Sequence, residues 1–104
     1  MEIWKYEIPP KDSFTLNIPE GETILDIQTQ VDPPNPLGIP PREQGVMWAM
    51  VDPEAEKKPR KFRLFGTGWT IPDDTEEKSL VYCGTFQTVQ LGLVWHVFRV
   101  REWQ

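Results

Sequence analysis

The sequence predicts an all-β fold, a compact antiparallel β-sandwich or an open barrel, with about seven strands and little helix. Apolar and polar residues alternate with a period of two in many segments, for example over residues 2–8, and this pattern is typical of strands that bury one face. Eleven prolines interrupt the 104 residues, and proline breaks the interior of a helix. Turn-forming residues recur about every 8–12 residues, which is the spacing found in small sandwiches and barrels.

The first half of the chain is predicted to begin with a meander of three strands, because Pro- and Gly-containing turns separate three alternating segments. These segments cover residues 2–8, 13–18 and 23–31. In the third segment, Leu25, Ile27 and Val31 are expected to face the core. Residues 45–52 are apolar on both faces, which predicts either a central strand covered on two sides or a strand at the interface of a homo-oligomer.

The second half is predicted to contain a strand over residues 60–66 and a closing hairpin formed by residues 79–87 and 91–102. Gly92 lies inside the last segment and is expected to mark a bulge. A hairpin whose turn is centred near residues 89 and 90 would place Cys83 opposite His96.

A single domain is expected over residues 1–104, because 12.1 kDa is room for one modest core. Residues 32–44 contain five prolines and are predicted to form a stiff, extended, Pro-rich loop. One core on each side of this loop would be too small, so the loop is not read as a linker between domains.

Several classes of function are disfavoured by composition. The chain has one cysteine and one histidine, which excludes an intrachain disulfide and a multi-cysteine or multi-histidine metal site; no metal and no cofactor is expected. The net charge of −5 argues against binding to duplex nucleic acid. No run of about 18 apolar residues occurs, so no membrane-spanning helix is expected. The alternating first residues do not resemble a signal peptide, and the lone cysteine fits a reducing compartment such as the cytoplasm.

The stretch over residues 60–70 is the candidate ligand-binding site, because cations, glycine amides, hydroxyls and an indole occur together there. Arginine and lysine would pair with phosphate, the glycines would let backbone N–H groups approach it, and the tryptophan would stack on a planar ring. The alternative is a solvated strand followed by an ordinary glycine turn. The candidate residues are Arg60, Lys61, Arg63, Gly66, Thr67, Gly68, Trp69 and Thr70.

No catalytic residue is assigned. Cys83 could act as a nucleophile only with a base, and His96 is the only imidazole. Both residues lie in apolar surroundings, so a structural thiol and a core histidine are the favoured interpretation. Trp69 and Trp103 are the tryptophans expected to be exposed, where they would suit a protein-binding surface.

Five segments together resemble a family of short proteins from phage and prophage genomes that is known as a domain of unknown function. One departure is Trp69, which stands where a histidine often follows the Gly-Thr-Gly of the family. The resemblance is carried by Ile3-Trp4-Lys5-Tyr6, Met47-Trp48-Ala49-Met50-Val51-Asp52, Phe62 through Gly68, Tyr82-Cys83-Gly84-Thr85-Phe86-Gln87 and Leu93-Val94-Trp95-His96-Val97-Phe98.

The resemblance implies a phage-encoded accessory protein that acts in the cytoplasm of a bacterial host. Small phage proteins of this kind are often inhibitors of host defence. Two modes of inhibition suit the residues. The first is sequestration of a nucleotide-derived immune signal without cleavage, using residues 60–70. The alternative is a protein inhibitor that docks on a host or phage enzyme through an acidic and aromatic surface.

Overall fold

The structure is a computed structural model of the chain and describes residues 1–33, 35–39, 41–71, 79–89 and 91–101. It confirms the predicted all-β class with seven strands. No helix among the described residues is long and apolar enough to cross a membrane. The strands are β1 (Glu2–Ile8), β2 (Ser13–Pro19), β3 (Thr23–Val31), β4 (Glu43–Val51), β5 (Lys57–Gly66), β6 (Leu80–Thr88) and β7 (Leu93–Val100).

The strands form two antiparallel sheets that pack face to face. The first sheet has the order β1-β4-β3 and the second has the order β2-β5-β7-β6. The predicted meander is therefore wrong, because β2 lies in the second sheet while β1 and β3 flank β4 in the first. Alternation shows which face of a strand is buried, but both sheets bury a face in the same core, so the pattern does not distinguish a hairpin from a crossing between sheets.

The core lies between the inner faces of the two sheets. The first sheet contributes Met47, Ala49 and Val51 from its central strand, and all three are almost fully buried. The second sheet contributes Phe62, Leu64 and Val97, which are buried to the same degree. β4 is the central strand of the first sheet, as predicted, and it contributes one of its two apolar faces to this core.

Two bulges explain where the predicted alternation fails. A shift of register between Ile24 and Asp26 leaves Leu25 exposed and turns Ile24 toward the core instead. Val31, at the end of β3, is also exposed rather than buried. In the closing hairpin the bulge lies between Tyr82 and Gly84, whereas Gly92 is a turn residue with a φ of +65°.

Along one side of the sandwich, β3 of the first sheet contacts β6 of the second. The Thr29 hydroxyl on β3 donates to the carbonyl of Gln87 on β6 and accepts a hydrogen bond from the Gln87 N–H group. Among the described residues, β5 pairs with β2 over Lys57–Arg63 and with β7 over Phe62–Gly66. Pro59 lies opposite Asn17 of β2.

The two sheets approach each other closely at two glycines, Gly45 and Gly84. A Cβ atom on Gly45 would lie 2.6 Å from the ring of Phe86, and one on Gly84 would lie 2.6 Å from Ile27. Neither glycine has a positive φ, so these positions require glycine because of the contact across the core and not because of the backbone conformation.

We expect Gly45→Ala to destabilise the protein by about 1–3 kcal/mol, because the buried Phe86 ring must move to accommodate the methyl group. The loss should appear as a lower urea midpoint with an unchanged slope of the unfolding free energy against urea. Ser13→Ala, at an exposed position, is the matched control. A Gly45→Ala protein as stable as this control would contradict the close approach.

Candidate functional site

The predicted site residues on β5 point to opposite faces of the second sheet. Register pairs Arg60 with Leu16 and Phe62 with Phe14, so Arg60 lies on the inner side of the sheet. Lys61 and Arg63 alternate with them and lie on the outer face. Because a strand turns successive side chains to opposite sides, three clustered cations in sequence do not form one cluster in space.

Arg60 forms an ion pair with the buried carboxylate of Glu22, which directly precedes β3. Its Nε donates to Glu22 Oε1 at 2.8 Å and its Nη2 donates to Oε2 at 3.4 Å. Arg99 on β7 reaches the same carboxylate, with Nη2 2.9 Å from Oε1. The Glu22 side chain is only 2% exposed, so this ion triad is part of the folded interior and Arg60 does not join the turn at residues 66–70.

The ion triad of Glu22, Arg60 and Arg99 is accompanied by shifted pKa values at Glu22 and at Tyr6. Burial by itself would raise the pKa of Glu22, but the hydrogen bond from Arg60 and the charges of Arg99 and Arg60 outweigh it, so the pKa lies below its ordinary value. Burial, and secondly the negative charge of Glu22, raises the pKa of Tyr6 on the facing sheet. Glu22 therefore stays ionised and Tyr6 stays neutral in the fold.

The glycine-containing turn after β5 positions the indole ring of Trp69 against Gly66. Gly68 has a φ of +89°, and Trp69 N donates to the carbonyl of Gly66 at 3.1 Å. A Cβ on Gly66 would lie 2.8 Å from the Trp69 ring, and that ring meets Trp95 edge to face at 5.4 Å between centroids. Gly66 thus admits Trp69, which remains 51% exposed, and Thr70 beside it is also exposed.

A hydrogen-bond network on the outer face of the second sheet includes Thr67 and involves residues that sequence reasoning did not select. Thr67 Oγ1 lies 2.8 Å from His96 Nε2, and Thr85 Oγ1 lies 3.0 Å from His96 Nδ1. The Tyr82 hydroxyl bonds to Thr85 in turn. A neutral imidazole donates from one nitrogen and accepts at the other, so His96 is held in place by one hydroxyl on each side.

Next to this network, three residues form a row across three strands. Tyr82 on β6 pairs with Phe98 on β7, and Phe98 pairs with Arg63 on β5. We call Tyr82, Phe98 and Arg63 the outer-face row. The Tyr82 and Phe98 rings meet edge to face at 5.5 Å, and the Arg63 guanidinium lies 5.2 Å from the ring of Phe65. Tyr82 is 57% exposed, so the row presents an aromatic end and a basic end.

The alternation of residues in the last strand predicts that His96 and Phe98 lie on one face, so the sequence alone could indicate that these two residues belong to the same surface. The neighbours from β5 and β6 could not be identified, because alternation within a strand does not give its register against other strands. The register nearer the hairpin turn pairs His96 with Thr85 instead of Cys83, and the bulge between Tyr82 and Gly84 leaves Cys83 without a direct partner on β7.

Cys83 does not face the only histidine. Its side chain packs against the core cluster, while His96 lies on the outer face. Burial raises the pKa of the Cys83 thiol, and the neighbouring Arg99 only partly opposes this effect. A thiol whose pKa is raised is a poor nucleophile at neutral pH. Among the described residues, no group of three or more His, Cys, Asp or Glu side chains could hold a metal.

These features define a small β-sandwich protein whose outer sheet face combines aromatic, hydroxyl and basic side chains. A family model described as a domain of unknown function, DUF7352, matches residues 1–104, and the chain belongs to that family. Comparison with curated proteins and with solved structures found no match.

We expect Glu22→Gln to destabilise the protein by roughly 3 kcal/mol near neutral pH, because it leaves two guanidinium groups without their buried partner. Because folding lowers the pKa of Glu22, its contribution is present above the pKa of the unfolded chain, about 4.3, and is lost as the pH falls through the lower, folded-state pKa.

Urea unfolding followed by tryptophan fluorescence, from about pH 7 to about pH 3, measures both effects. The difference between wild type and Glu22→Gln should shrink toward the acid end. Glu20→Gln, at an exposed position two residues earlier, is the control. Equal losses for the two variants at neutral pH would show that the triad does not stabilise the fold.

Proposed function

We propose that this protein binds a nucleotide-type ligand on the outer face of its second sheet and does not transform it. The observation that carries the proposal is the outer-face row, in which an exposed phenol, a second aromatic ring and a guanidinium lie side by side on adjacent strands. Aromatic rings stack on bases, and arginine pairs with phosphate through charge-assisted hydrogen bonds.

The spacing of the row suits a nucleotide. Adjacent strands lie about 4.8 Å apart, so Tyr82 and Arg63, two strands apart, are separated by roughly 10 Å. A base stacked on Tyr82, with its edge against Phe98, would direct its phosphate toward Arg63. Lys61 lies on the same face of β5, two residues from Arg63, and adds positive charge at this end. The row and the neighbouring Lys61 thus keep two of the three cations that the sequence predicted, and Tyr82 takes the stacking role predicted for Trp69.

The histidine network would orient the sugar or the base edge. Thr67, Thr85 and His96 place hydroxyl and imidazole groups next to the row on the same face, two residues along β7 from Phe98. A hydroxyl that already exchanges a hydrogen bond can still engage a ligand, because each threonine oxygen has one donor and two acceptor positions. The separation of Cys83 from His96 supports binding over covalent catalysis, since the one imidazole of the chain does not lie beside the thiol.

The resemblance to phage and prophage proteins supplies the biological setting of the proposal. In that setting the protein acts in the cytoplasm of a bacterial host. By sequestering a nucleotide-derived immune signal at high copy number, it would lower the free signal without cleaving it, and so antagonise host defence.

We expect calorimetry of the purified protein against cyclic dinucleotides and ADP-ribose-type nucleotides to detect at least one ligand at tens of micromolar. Tyr82→Ala should weaken that binding by about tenfold or more through lost stacking. Arg63→Gln should weaken it comparably and reduce its dependence on salt, because a phosphate contact is removed.

Asn17→Ala is the control, since Asn17 is exposed on β2 and outside the row. Heat from no nucleotide in the panel would reject the proposal. Unchanged affinity in Tyr82→Ala would reject the row as the site, even if a ligand binds elsewhere.

A protein inhibitor is the second candidate, and the outer face of the first sheet favours it. Ile3 is 62% exposed there, and it pairs with Met50, two residues from Trp48 on the same face of β4. Trp103, which was expected to contribute to such a surface, lies outside the described residues. The same face is where a second copy of the chain would bind if the protein is a homo-oligomer.

We expect Ile3→Asp to abolish capture of a partner enzyme by the immobilised protein if this second candidate holds. The same substitution should convert an oligomer to a monomer, measured by light scattering, if the face joins two copies. Identical capture and identical mass for wild type and variant would leave this face without a role in association.

A further inference from the structure

The loop between β3 and β4 extends the hairpin of these two strands and ends in an ordered turn. At the base of the loop, the Asp32 N–H group donates to the carbonyl of Arg42 at 3.0 Å. At the tip, the Gly38 N–H group donates to the carbonyl of Asn35 at 3.0 Å. The Asn35 side chain also accepts a hydrogen bond from the Leu37 N–H group at 2.8 Å. These bonds hold the backbone on both sides of Leu37.

The residue types at the tip are those of a type I turn. That turn favours asparagine at its first position, proline at its second and glycine at its fourth, and Asn35, Pro36 and Gly38 occupy these positions. Leu37 takes the third position, and its φ is not positive. Its side chain is 81% exposed, which is more than for any other large hydrophobic residue that the structure describes. An ordered turn therefore holds a leucine in open solvent.

An apolar cavity of about 170 Å³ opens at the same end of the sandwich, where β4 begins and β6 ends. Arg42, at the base of the loop, is one of its lining residues, so the loop leaves the fold beside the cavity. An apolar cavity of about 150 Å³ holds one benzene molecule, and the side chain of leucine has fewer carbon atoms than benzene. The cavity therefore has room for a leucine side chain. Its apolar wall is formed by Ile8, Leu64, Phe86, Leu91 and Trp95.

The exposed apolar surface at this end matches one side of a protein interface. Six large hydrophobic side chains are exposed here, and together they present roughly 400 Å² of apolar surface. A standard interface buries about 800 Å² on each partner, of which a little over half is apolar. The end of the sandwich thus offers the apolar area that a stable dimer needs from each chain. The six residues are Val31, Leu37, Ile39, Val89, Leu91 and Leu93.

We propose that two copies of this chain associate end to end, and that Leu37 of each copy inserts into the apolar cavity of the other. The occupant is a second copy because one chain carries both the exposed leucine and a cavity of matching size. Both lie at the same end of the chain, so one two-fold axis satisfies the two contacts together and the assembly closes as a dimer. The ordered turn lowers the entropy cost of insertion, because its backbone is already held in place.

The length of the loop permits this exchange. Leu37 lies five residues from both Asp32 and Arg42, so it can reach at most roughly 17 Å from the base of the loop. Two loops of this length can lie side by side between the two sandwiches, each reaching the cavity of the other copy. This surface is separate from the outer-face row and from the outer face of the first sheet, so the dimer does not rest on the proposed nucleotide binding.

Light scattering coupled to gel filtration tests the proposal. The wild type should give twice the 12.1 kDa mass of one chain. Leu37→Asp and Leu91→Arg should each give the mass of one chain, because each places a charge in the apolar contact. Both positions are exposed in the single chain, so the circular dichroism of both variants should match the wild type. Leu25→Asp, at an exposed position near the other end of β3, is the matched control and should remain dimeric.

An equimolar mixture of Leu37→Asp and Leu91→Arg should recover the mass of the dimer. In the mixed dimer, one contact is the unchanged leucine in the unchanged cavity, and the other places the introduced aspartate beside the introduced arginine. High salt should weaken the mixed dimer and leave the wild-type dimer intact, because only the mixed dimer depends on a pair of charges.

A wild-type protein that is monomeric at hundreds of micromolar, or variants that stay monomeric when mixed, would overturn the proposal. A dimer that persists in Leu37→Asp but is lost in Ile3→Asp would place the association on the outer face of the first sheet, and this would overturn it as well. Tyr82→Ala should remain dimeric, so failure of the nucleotide site and failure of the dimer are distinguished by different variants.

Discussion

Contact between the two sheets is the constraint on which the rest of the structure depends. Each strand gives one face to the shared core, and the sheets come so close that Gly45 and Gly84 have no room for a side chain. The inner faces of both sheets are therefore occupied by the packed core, and the outer-face row lies on the side of the second sheet that the core does not use.

The fold class could be predicted because it depends on local signals. Period-two alternation and frequent prolines do not require knowledge of which strands meet, and they identified seven strands. The sheet order could not be predicted in the same way, because β2 has the same pattern as a strand of the first sheet. The prediction that Leu25 faces the core was wrong for a related reason. One extra residue at a bulge changes which side of the sheet the neighbouring side chains point to.

The candidate site was predicted only in part, and Arg60 shows why. Its sequence neighbourhood is basic, yet its ionic partner Glu22 lies 38 residues earlier and could not be paired with it without the fold. Lys61 and Arg63 were grouped correctly on one face. Tyr82 and Phe98 complete that face from two other strands, and only the registers on either side of β7 bring them next to Arg63.

Pro59 within β5 has a consequence for behaviour at high protein concentration. Among the described residues, β5 pairs with β2 over Lys57–Arg63 and with β7 over Phe62–Gly66. A strand can template the addition of another chain only through backbone N–H and C=O groups. Pro59 has no N–H group, so this position of β5 cannot donate the hydrogen bond that the growth of a fibril would need there.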